Sequence, residues 1–531
     1  MRRFSLVVVV AVLAGASLPA GRSAAAGPPP PGRLSSTPGL IERAVALGEL
    51  DRAAADRYLA LAVMGSDAVP ARLVGNVPWD ATPVVLDLQR RLDGMAPGPE
   101  RAALRSVVAP TALHPIGGVG TDRCGMSTTP MPNTRTTKHF YIEYDSVALA
   151  ASLDGLSIDD YVAALETSWR KEVGRFGWPR PPAYPPNPAP GGRYHVRIDA
   201  LGPVVLGLVS NGGTHAGRVG NNPHTGWNDR DADASCMVLN QDYSLFPSSP
   251  SASLKSAAAH ELNHSIQFGY GALSGANEPD PAFIEGGATW MEDEVFDGAN
   301  DGYHYLWPDF RDDMGEYGGL GYDYWIAWRG LTERYGTGAR GGGERVMQRF
   351  WALTSKNRAS NLGAMDRALR AEGTSLAAAF HAYAIAVKFN RDCRGKDRYP
   401  HCFQEGPGYV AAAGPTRPHG SIERVGGRHE DTVRDNYALA WVQIPVRAGR
   451  YVVKLTNTST GGRLRASTAC DTGSRLRVRR FAKALWPGGA GSAAFSSGGC
   501  TRAAVVITNE ARTAANPSSS PARSYRVTTR R

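Results

Sequence analysis

Along its 531 residues the chain changes texture three times. From Leu40 to about residue 107, apolar positions recur at helical spacing: Leu40, Ala44 and Leu47 share a face, residues 48–51 turn, and Tyr58, Leu61 and Ala62 resume the stripe. Thr82-Pro83 predicts a helix start, a capping hydroxyl followed by a proline whose fixed φ suits the first turn. Period-two alternation then appears in His139-Phe140-Tyr141-Ile142-Glu143-Tyr144 and in Tyr194-His195-Val196-Arg197-Ile198, and Ser157 opens a helix between them through Tyr161, Leu165 and Trp169. Cys236-Met237-Val238-Leu239-Asn240 predicts a further strand. After residue 285 the pattern is mostly helical, through 344–354 and from a cap at Ser375 to Phe389. Beyond about Gly414 come short alternating runs at 437–444, 451–455, 476–478, 503–507 and 525–527, separated by turn residues, which predict a β-sandwich. The expectation is an α+β chain. It would have a Pro/Ser-rich linker and helical region over 27–115, a domain over 121–412 with a strand-rich upper part and a helical lower part, and a sandwich over 415–531.

One predicted helix carries chemistry. His260-Glu261-Leu262-Asn263-His264 sets two imidazoles four residues apart, one above the other on a helix, so both can face one metal while Glu261 reaches a metal-bound water. With 12 histidines in the chain, chance alone gives this pattern in roughly one such chain in a hundred, so the surroundings must add weight. They do so in Phe283-Ile284-Glu285-Gly286-Gly287-Ala288-Thr289-Trp290-Met291-Glu292. A catalytic zinc takes three protein ligands and keeps one position for water, and Glu285 can complete a His2Glu set; Glu292 and Glu294 are rival carboxylates. Thr289, one turn beyond Glu285, offers a hydroxyl that could orient a ligating imidazole. Farther on, the aromatic run from Gly321 contains Tyr322 and Tyr324.

These blocks resemble the gluzincin clan of zinc metallopeptidases, and within it secreted bacterial proteins with His-Glu-x-x-His-x-x-Gln-Phe-Gly-Tyr and Glu-Gly-x-Ala-x-x-x-Glu-Asp segments. Here the first is carried by His260, Glu261, His264, Gln267, Phe268, Gly269 and Tyr270, and the second runs from Glu285 to Asp293. The similarity spans about residues 40–410. It implies a zincin-type catalytic domain acting on polypeptide, with His260, His264 and Glu285 as zinc ligands and Glu261 as general base. Tyr322 would steady the oxyanion, with Tyr324 as the alternative. The edge strand above the active helix, expected near Cys236 to Asp242, would bind the substrate backbone as an added strand, the alternative being that this stretch is an ordinary internal strand. Aminopeptidases of the clan grip the free amine with a Gly-x-Met-Glu-Asn segment upstream of the zinc helix. None stands here, which favours an endopeptidase and leaves the aminopeptidase as the alternative.

The start of the chain bears on compartment. Met1-Arg2-Arg3, an apolar core over 4–14, and small residues through Ala20 and Ala24-Ala25-Ala26 predict a secretory signal over 1–26 and a secreted, extracellular product. No later stretch approaches the length of a membrane span. Six cysteines without C-x-x-C spacing favour disulfides in an exported chain, and pairing in order, Cys124 with Cys236, Cys393 with Cys402 and Cys470 with Cys500, keeps each bridge within one predicted domain. Net charge is +10 and the pI about 9.3, but the arginines are dispersed and no nucleic-acid motif accompanies them. Local clusters at 475–480 and Arg530-Arg531 suit weak contact with anionic cell-wall polymers. Asp229, Asp231 and Asp233 raise calcium, although without a Gly-and-Glu frame a solvated acidic loop is favoured.

Two questions stay open in the sequence. Residues 27–115 read either as a propeptide or chaperone-like segment that covers the cleft, or as a plain structural subdomain. From a different class, the chain could be a secreted surface or matrix binding protein with a structural or degenerate zinc site. A structural site would need a fourth protein ligand, and no further His or Cys stands at suitable spacing.

Overall fold

In the computed structural model, which describes residues 36–108, 131–183, 189–211, 217–271, 273, 281–306, 321–335, 344–357, 361–393, 401–433, 437–510 and 523–531, the chain opens with four helices. They are α1 (Thr37–Ala46), α2 (Arg52–Val63), α3 (Thr82–Gly94) and α4 (Pro99–Val108). Ser36 and Asp51 cap the first two, their side chains accepting from the Gly39 and Ala54 amides. Helix α3 begins at Thr82 as expected, but Thr82 does not cap it. Its hydroxyl is drawn inward, and the Asp80 carboxylate accepts from the Thr82 amide instead.

Next come β1 (Asn133–Thr136), β2 (Phe140–Tyr144), α5 (Ser146–Ala150), α6 (Ile158–Trp169), β3 (Tyr194–Asp199), β4 (Gly207–Ser210), β5 (Arg218–Gly220), β6 (Ala232–Asp233) and β7 (Cys236–Asn240). Five of these strands form a mixed sheet in the order β1-β2-β3-β7-β4, with β2, β3 and β7 parallel and the two outer strands antiparallel to their neighbours. The internal strand β7 is buried along its whole length, as befits a strand covered on both faces. It is therefore not the edge strand that the sequence led us to expect at 236–242: β4 lies outside it and takes that place.

Beneath the sheet runs α7 (Pro250–Gly269), started by the Ser249 side chain and by Pro250 in its first turn. From Ser256 to Gly269 every residue is buried, His260, Glu261, Asn263, His264 and Gln267 included. Polar side chains in such a place must find partners. Helix α8 (Pro281–Val295) packs on α7 and is followed by α9 (Trp325–Arg334), α10 (Glu344–Asn357), α11 (Asn361–Arg370), α12 (Leu376–Phe389) and α13 (Gly406–Ala413). Ser375 caps α12 as expected, its side chain accepting from the Ala378 amide. Ile41, Leu59, Trp79 and Leu88 from the N-terminal helices share one continuous core with Leu206 and Leu208 of the sheet and Leu262 of α7.

The last part is strand-rich: β8 (Gly420–Ser421), β9 (Arg428–Val433), β10 (Leu439–Gln443), β11 (Arg450–Asn457), β12 (Arg463–Asp471), β13 (Leu476–Arg480), β14 (Ala490–Ser496), β15 (Arg502–Glu510) and β16 (Arg523–Arg530). They make a five-stranded sheet, β13-β12-β15-β10-β8, and a four-stranded sheet, β14-β11-β16-β9, with Val442, Leu464 and Val505 of one meeting Val453, Phe495 and Val527 of the other in a shared core. The opposite face of the five-stranded sheet docks on α12, where the Trp441 indole donates to the Ala384 carbonyl at 2.9 Å. The α+β expectation holds. Cys393–Cys402 and Cys470–Cys500 are bridged as expected, whereas Cys124 and the predicted signal lie outside the described residues. Among the described residues no helix is long and apolar enough to cross a membrane.

Candidate metal centre

His260 and His264 rise one turn apart from the buried side of α7, and Glu285 faces them from the first half of α8. Gly286 lets residues 321–324 pass against α8: a Cβ there would lie 2.8 Å from Cβ of Tyr324 and 2.9 Å from the Gly321 carbonyl oxygen. The Glu-Gly pair thus puts a ligand-type carboxylate next to the position where the chain of residues 321–324 must pass. Glu285 Oε2 lies 3.3 Å from His260 Nε2, Glu285 Oε1 lies 3.3 Å from His264 Nε2, and the two Nε2 atoms are 3.0 Å apart.

A fourth donor, which sequence reasoning missed, comes from the N-terminal region. Asp80 Oδ2 lies 3.4 Å from His264 Nε2, and Asp80, His260, His264 and Glu285 form one fully buried group. Donors around a tetrahedral ion with bonds of about 2.0 Å sit roughly 3.3 Å apart, so these four separations fit such an ion. The only local signal was a lone acid in an otherwise apolar stretch, Val77-Pro78-Trp79-Asp80-Ala81.

Both imidazoles turn Nε2 inward because their other nitrogens are held. Glu292 Oε1 lies 2.7 Å from His260 Nδ1, and Gln267 Oε1 lies 3.0 Å from His264 Nδ1. Gln267 in turn donates to Asn263 Oδ1 at 2.9 Å and to the Ile284 carbonyl at 3.1 Å, and Asn263 donates to the buried Glu172 at 3.3 Å. Such outer contacts fix tautomer and ring orientation. The orienting role expected of Thr289 therefore falls to Glu292, one more turn along α8; the Thr289 hydroxyl finds no partner among the described residues. Glu294 is drawn away to the buried Arg329, so of the two rival carboxylates one supports a histidine and the other serves an ion pair.

Electrostatics follow from burial and neighbours. Burial by itself would push the His260 imidazole down, but the carboxylates of Glu285 and Glu292 outweigh it and bring its pKa up to about 9. His264 is likewise held well above its ordinary value by Glu285 and Asp80, against its own burial. Burial pushes Glu292 up to about 7, with His260 pulling the other way. Asp80 and Glu261 share a site and separate: burial raises both, yet the two histidines carry Asp80 below the usual carboxylate range, while Asp80 and Glu285 drive Glu261 well above it. Two carboxylates so placed cannot both be charged at little cost.

Glu261 stands beside this group. Its Oε2 accepts from the Thr82 hydroxyl at 3.4 Å, and its buried Oε1 has no hydrogen-bond partner among the described residues. Space for it is kept by Gly207 on β4, where a Cβ would come within 2.6 Å of Glu261 Oε1. Of the two candidate tyrosines, Tyr322 reaches the site, its hydroxyl accepting from the Asp80 amide at 2.7 Å, whereas Tyr324 lies against Gly286 and packs on Trp328. Tyr305, also missed, stacks on Tyr322 with centroids 4.8 Å apart and donates to the Pro78 carbonyl.

The aspartates considered for calcium are engaged separately: Asp229 with Thr225 and Ser355, Asp231 with Arg218, Asp233 with Asn211. Neither group of metal-type donors found among the described residues includes them. No family model matches the chain, and no curated protein matches it either.

Proposed function

We propose that the protein is a secreted zinc-dependent endopeptidase. The observation that carries this reading is Glu261: a fully buried carboxylate beside four metal-type donors, with one oxygen unpartnered among the described residues and with a glycine opposite to leave it room. A metal held only for structure has no use for such a group, which burial makes costly. A base that must take a proton from water at the metal has. Two imidazoles and carboxylates suit zinc, with other first-row dications as chemical alternatives.

When bound, zinc supplies a Lewis acid for the scissile carbonyl and lowers the pKa of its water. Glu261 would take up a proton at its carboxylate and deliver it to the leaving nitrogen. His260, His264 and Glu285 would hold the ion, Glu292 and Gln267 keep the imidazoles aimed, and the Tyr322 hydroxyl would donate to the developing oxyanion. Strand β4, antiparallel at the end of the sheet, would take an extended peptide along its outer backbone groups once residues 79–82, which now bond there, have left. The predicted signal supports export, and exposed arginines of β13 suit an anionic cell-wall polymer.

A second reading draws on Asp80. Four protein donors form a closed set, as in structural zinc sites, which would make this a binding protein. Metal content and peptide hydrolysis of Glu261→Gln and Glu285→Ala separate the two. The peptidase predicts near-stoichiometric zinc in Glu261→Gln with the turnover of the active form almost abolished, and zinc loss in Glu285→Ala. Substantial residual turnover in Glu261→Gln would sink the catalytic assignment.

A further inference from the structure

We propose that residues 78–82 are a built-in occupant of the substrate cleft, and that Asp80 closes the metal centre as a fourth protein ligand, so that the chain in this conformation is latent. The latency rests on the hydrolase reading above; the ligation does not.

The segment is held along both edges of its backbone. On one side it pairs in parallel with the outer edge at β4: the Trp79 amide donates to the Val204 carbonyl at 3.0 Å, the Leu206 amide to the Trp79 carbonyl at 2.9 Å, and the Ala81 amide to the Gly207 carbonyl at 3.0 Å. This is how an extended peptide adds to an exposed sheet edge. On the other side Tyr305 donates to the Pro78 carbonyl at 3.3 Å, and the Asp80 amide donates to the Tyr322 hydroxyl at 2.7 Å. The groups assigned to a substrate backbone, edge strand and tyrosine, are thus already occupied by this chain's own backbone.

Side chains complete the fit. Asp80 enters the donor group, and Thr82 donates to Asp80 Oδ1 at 3.1 Å and to Glu261 at 3.4 Å while accepting from the Val209 amide at 2.8 Å. Trp79, 1% exposed, anchors the segment in the core. The carboxylates of Asp80 and Glu285 balance a dication, which lets the centre be buried without net charge. His260, Glu261, His264 and Glu285 are all 0% exposed with the segment in place, so a substrate carbonyl has no approach until it leaves. Asp80 lies on the stretch between α2 and α3, apart in sequence from the helices that carry the other donors.

The test uses the full mature chain, wild type and with Asp80→Ala or the isosteric Asp80→Asn, loaded with zinc or cobalt. Acetohydroxamate serves as a small metal-binding probe read by the cobalt visible spectrum, transfer of zinc to a chromogenic chelator is timed, intact mass shows whether residue 80 is still attached, and a quenched-peptide pool reports hydrolysis. Expected are a wild type that neither takes up the probe nor cuts peptides, and uncut variants that bind it, release zinc at least about tenfold faster and hydrolyse the pool. Unchanged spectra, probe binding and zinc release in both folded variants would overturn the ligation. Wild type cutting as fast as the variants with residue 80 attached would overturn the latency and leave the hydrolase reading intact. Variants that open to the probe but cut nothing would uphold the ligation and overturn the hydrolase reading with its latency.

Discussion

The contact between Glu292 and His260 lends itself to a quantitative test that needs no substrate. Glu292 Oε1 lies 2.7 Å from His260 Nδ1, with the two side chains 3% and 0% exposed. A charge-assisted hydrogen bond in such a place contributes about 1.5–3 kcal/mol, and each 1.4 kcal/mol corresponds to about tenfold in an equilibrium constant. If the bond acts by orienting the imidazole and raising its basicity, its loss weakens metal binding by about 10–100-fold. Glu292→Gln keeps the length and a neutral acceptor and removes only the charge, so it should fall at the lower end, about tenfold. Glu292→Leu leaves Nδ1 buried without an acceptor and should fall at the upper end, about 100-fold. Zinc dissociation constants from competition with a chromophoric chelator, with far-ultraviolet circular dichroism as the check on folding, give the order wild type, Gln, Leu. Equal affinities in three folded proteins would refute the support role. A larger loss in Gln than in Leu would mean that misplaced amide polarity, not lost charge, governs the site.

Three further outcomes follow from the packing. In Gly207→Ala the new methyl would stand 2.6 Å from Glu261 Oε1 and 2.8 Å from the Val238 carbonyl oxygen; it should displace the base and cut turnover of the opened enzyme roughly 100-fold with zinc content unchanged, and undiminished turnover would count against Glu261 acting from this position. His381, buried between Thr508 and Ser467 at 2.8 Å each, is held well below its ordinary pKa by burial first and by nearby Arg465 and Arg480 second. Its folded form resists a proton that the unfolded chain takes up, so stability is retained above about pH 6.5 and falls by about 1.4 kcal/mol per pH unit below it; urea titrations from pH 7 to 5 should show a flatter profile in His381→Gln, and an identical slope would refute the assignment. Arg329, 0% exposed, faces Asp293 at 3.4 Å and Glu333 at 3.0 Å and also pairs with Glu294; Arg329→Met strands these carboxylates and should cost about 3–5 kcal/mol in chemical denaturation, whereas a loss near zero would mean that they are stabilised without it.

Much of the fold was legible wherever one local period dominates. The strands at 439–443, 451–455, 476–478, 503–507 and 525–527 follow alternating apolar runs, and the caps at Ser157 and Ser375 stand where helices α6 and α12 begin. Strands β9, β12 and β14 escaped notice because their sequences, Arg-His-Glu-Asp-Thr-Val, Arg-Leu-Arg-Ala-Ser-Thr-Ala-Cys-Asp and Ala-Gly-Ser-Ala-Ala-Phe-Ser, are polar or small-residue runs with little apolar alternation. Their pairing comes from neighbours: β12 lies between β13 and β15, and β14 hydrogen-bonds along β11. In α1 the buried stripe is Thr37, Ile41 and Ala44, while Leu47 caps the helix and is 53% exposed, since helical phase alone does not say which of two adjacent stripes meets the core.

The site divides along the same line. A spacing of four residues on one helix is a local fact, and it sufficed to bring His260 and His264 together. Glu285 needed one packing of two helices, α8 on α7. Asp80, Tyr305, Glu172 and β4 reach the centre only because separate stretches of chain meet there, and no periodicity encodes such a meeting. The edge strand was misplaced for a related reason. Both β4 and β7 read as short apolar runs, and only the order of the sheet, with β4 antiparallel at its end, decides which of them a peptide can join. What the local motif specifies is therefore a set of metal-type donors with a buried carboxylate beside them. Whether that set keeps a position for water or closes it is decided by the stretch from Pro78 to Thr82, whose contacts on β4 and on the tyrosines are non-local throughout. A chain with the same two motifs and a different residue at position 80 would present the same sequence signature with the opposite chemistry. For that reason the state of the centre has to be read at Asp80 rather than at the histidines.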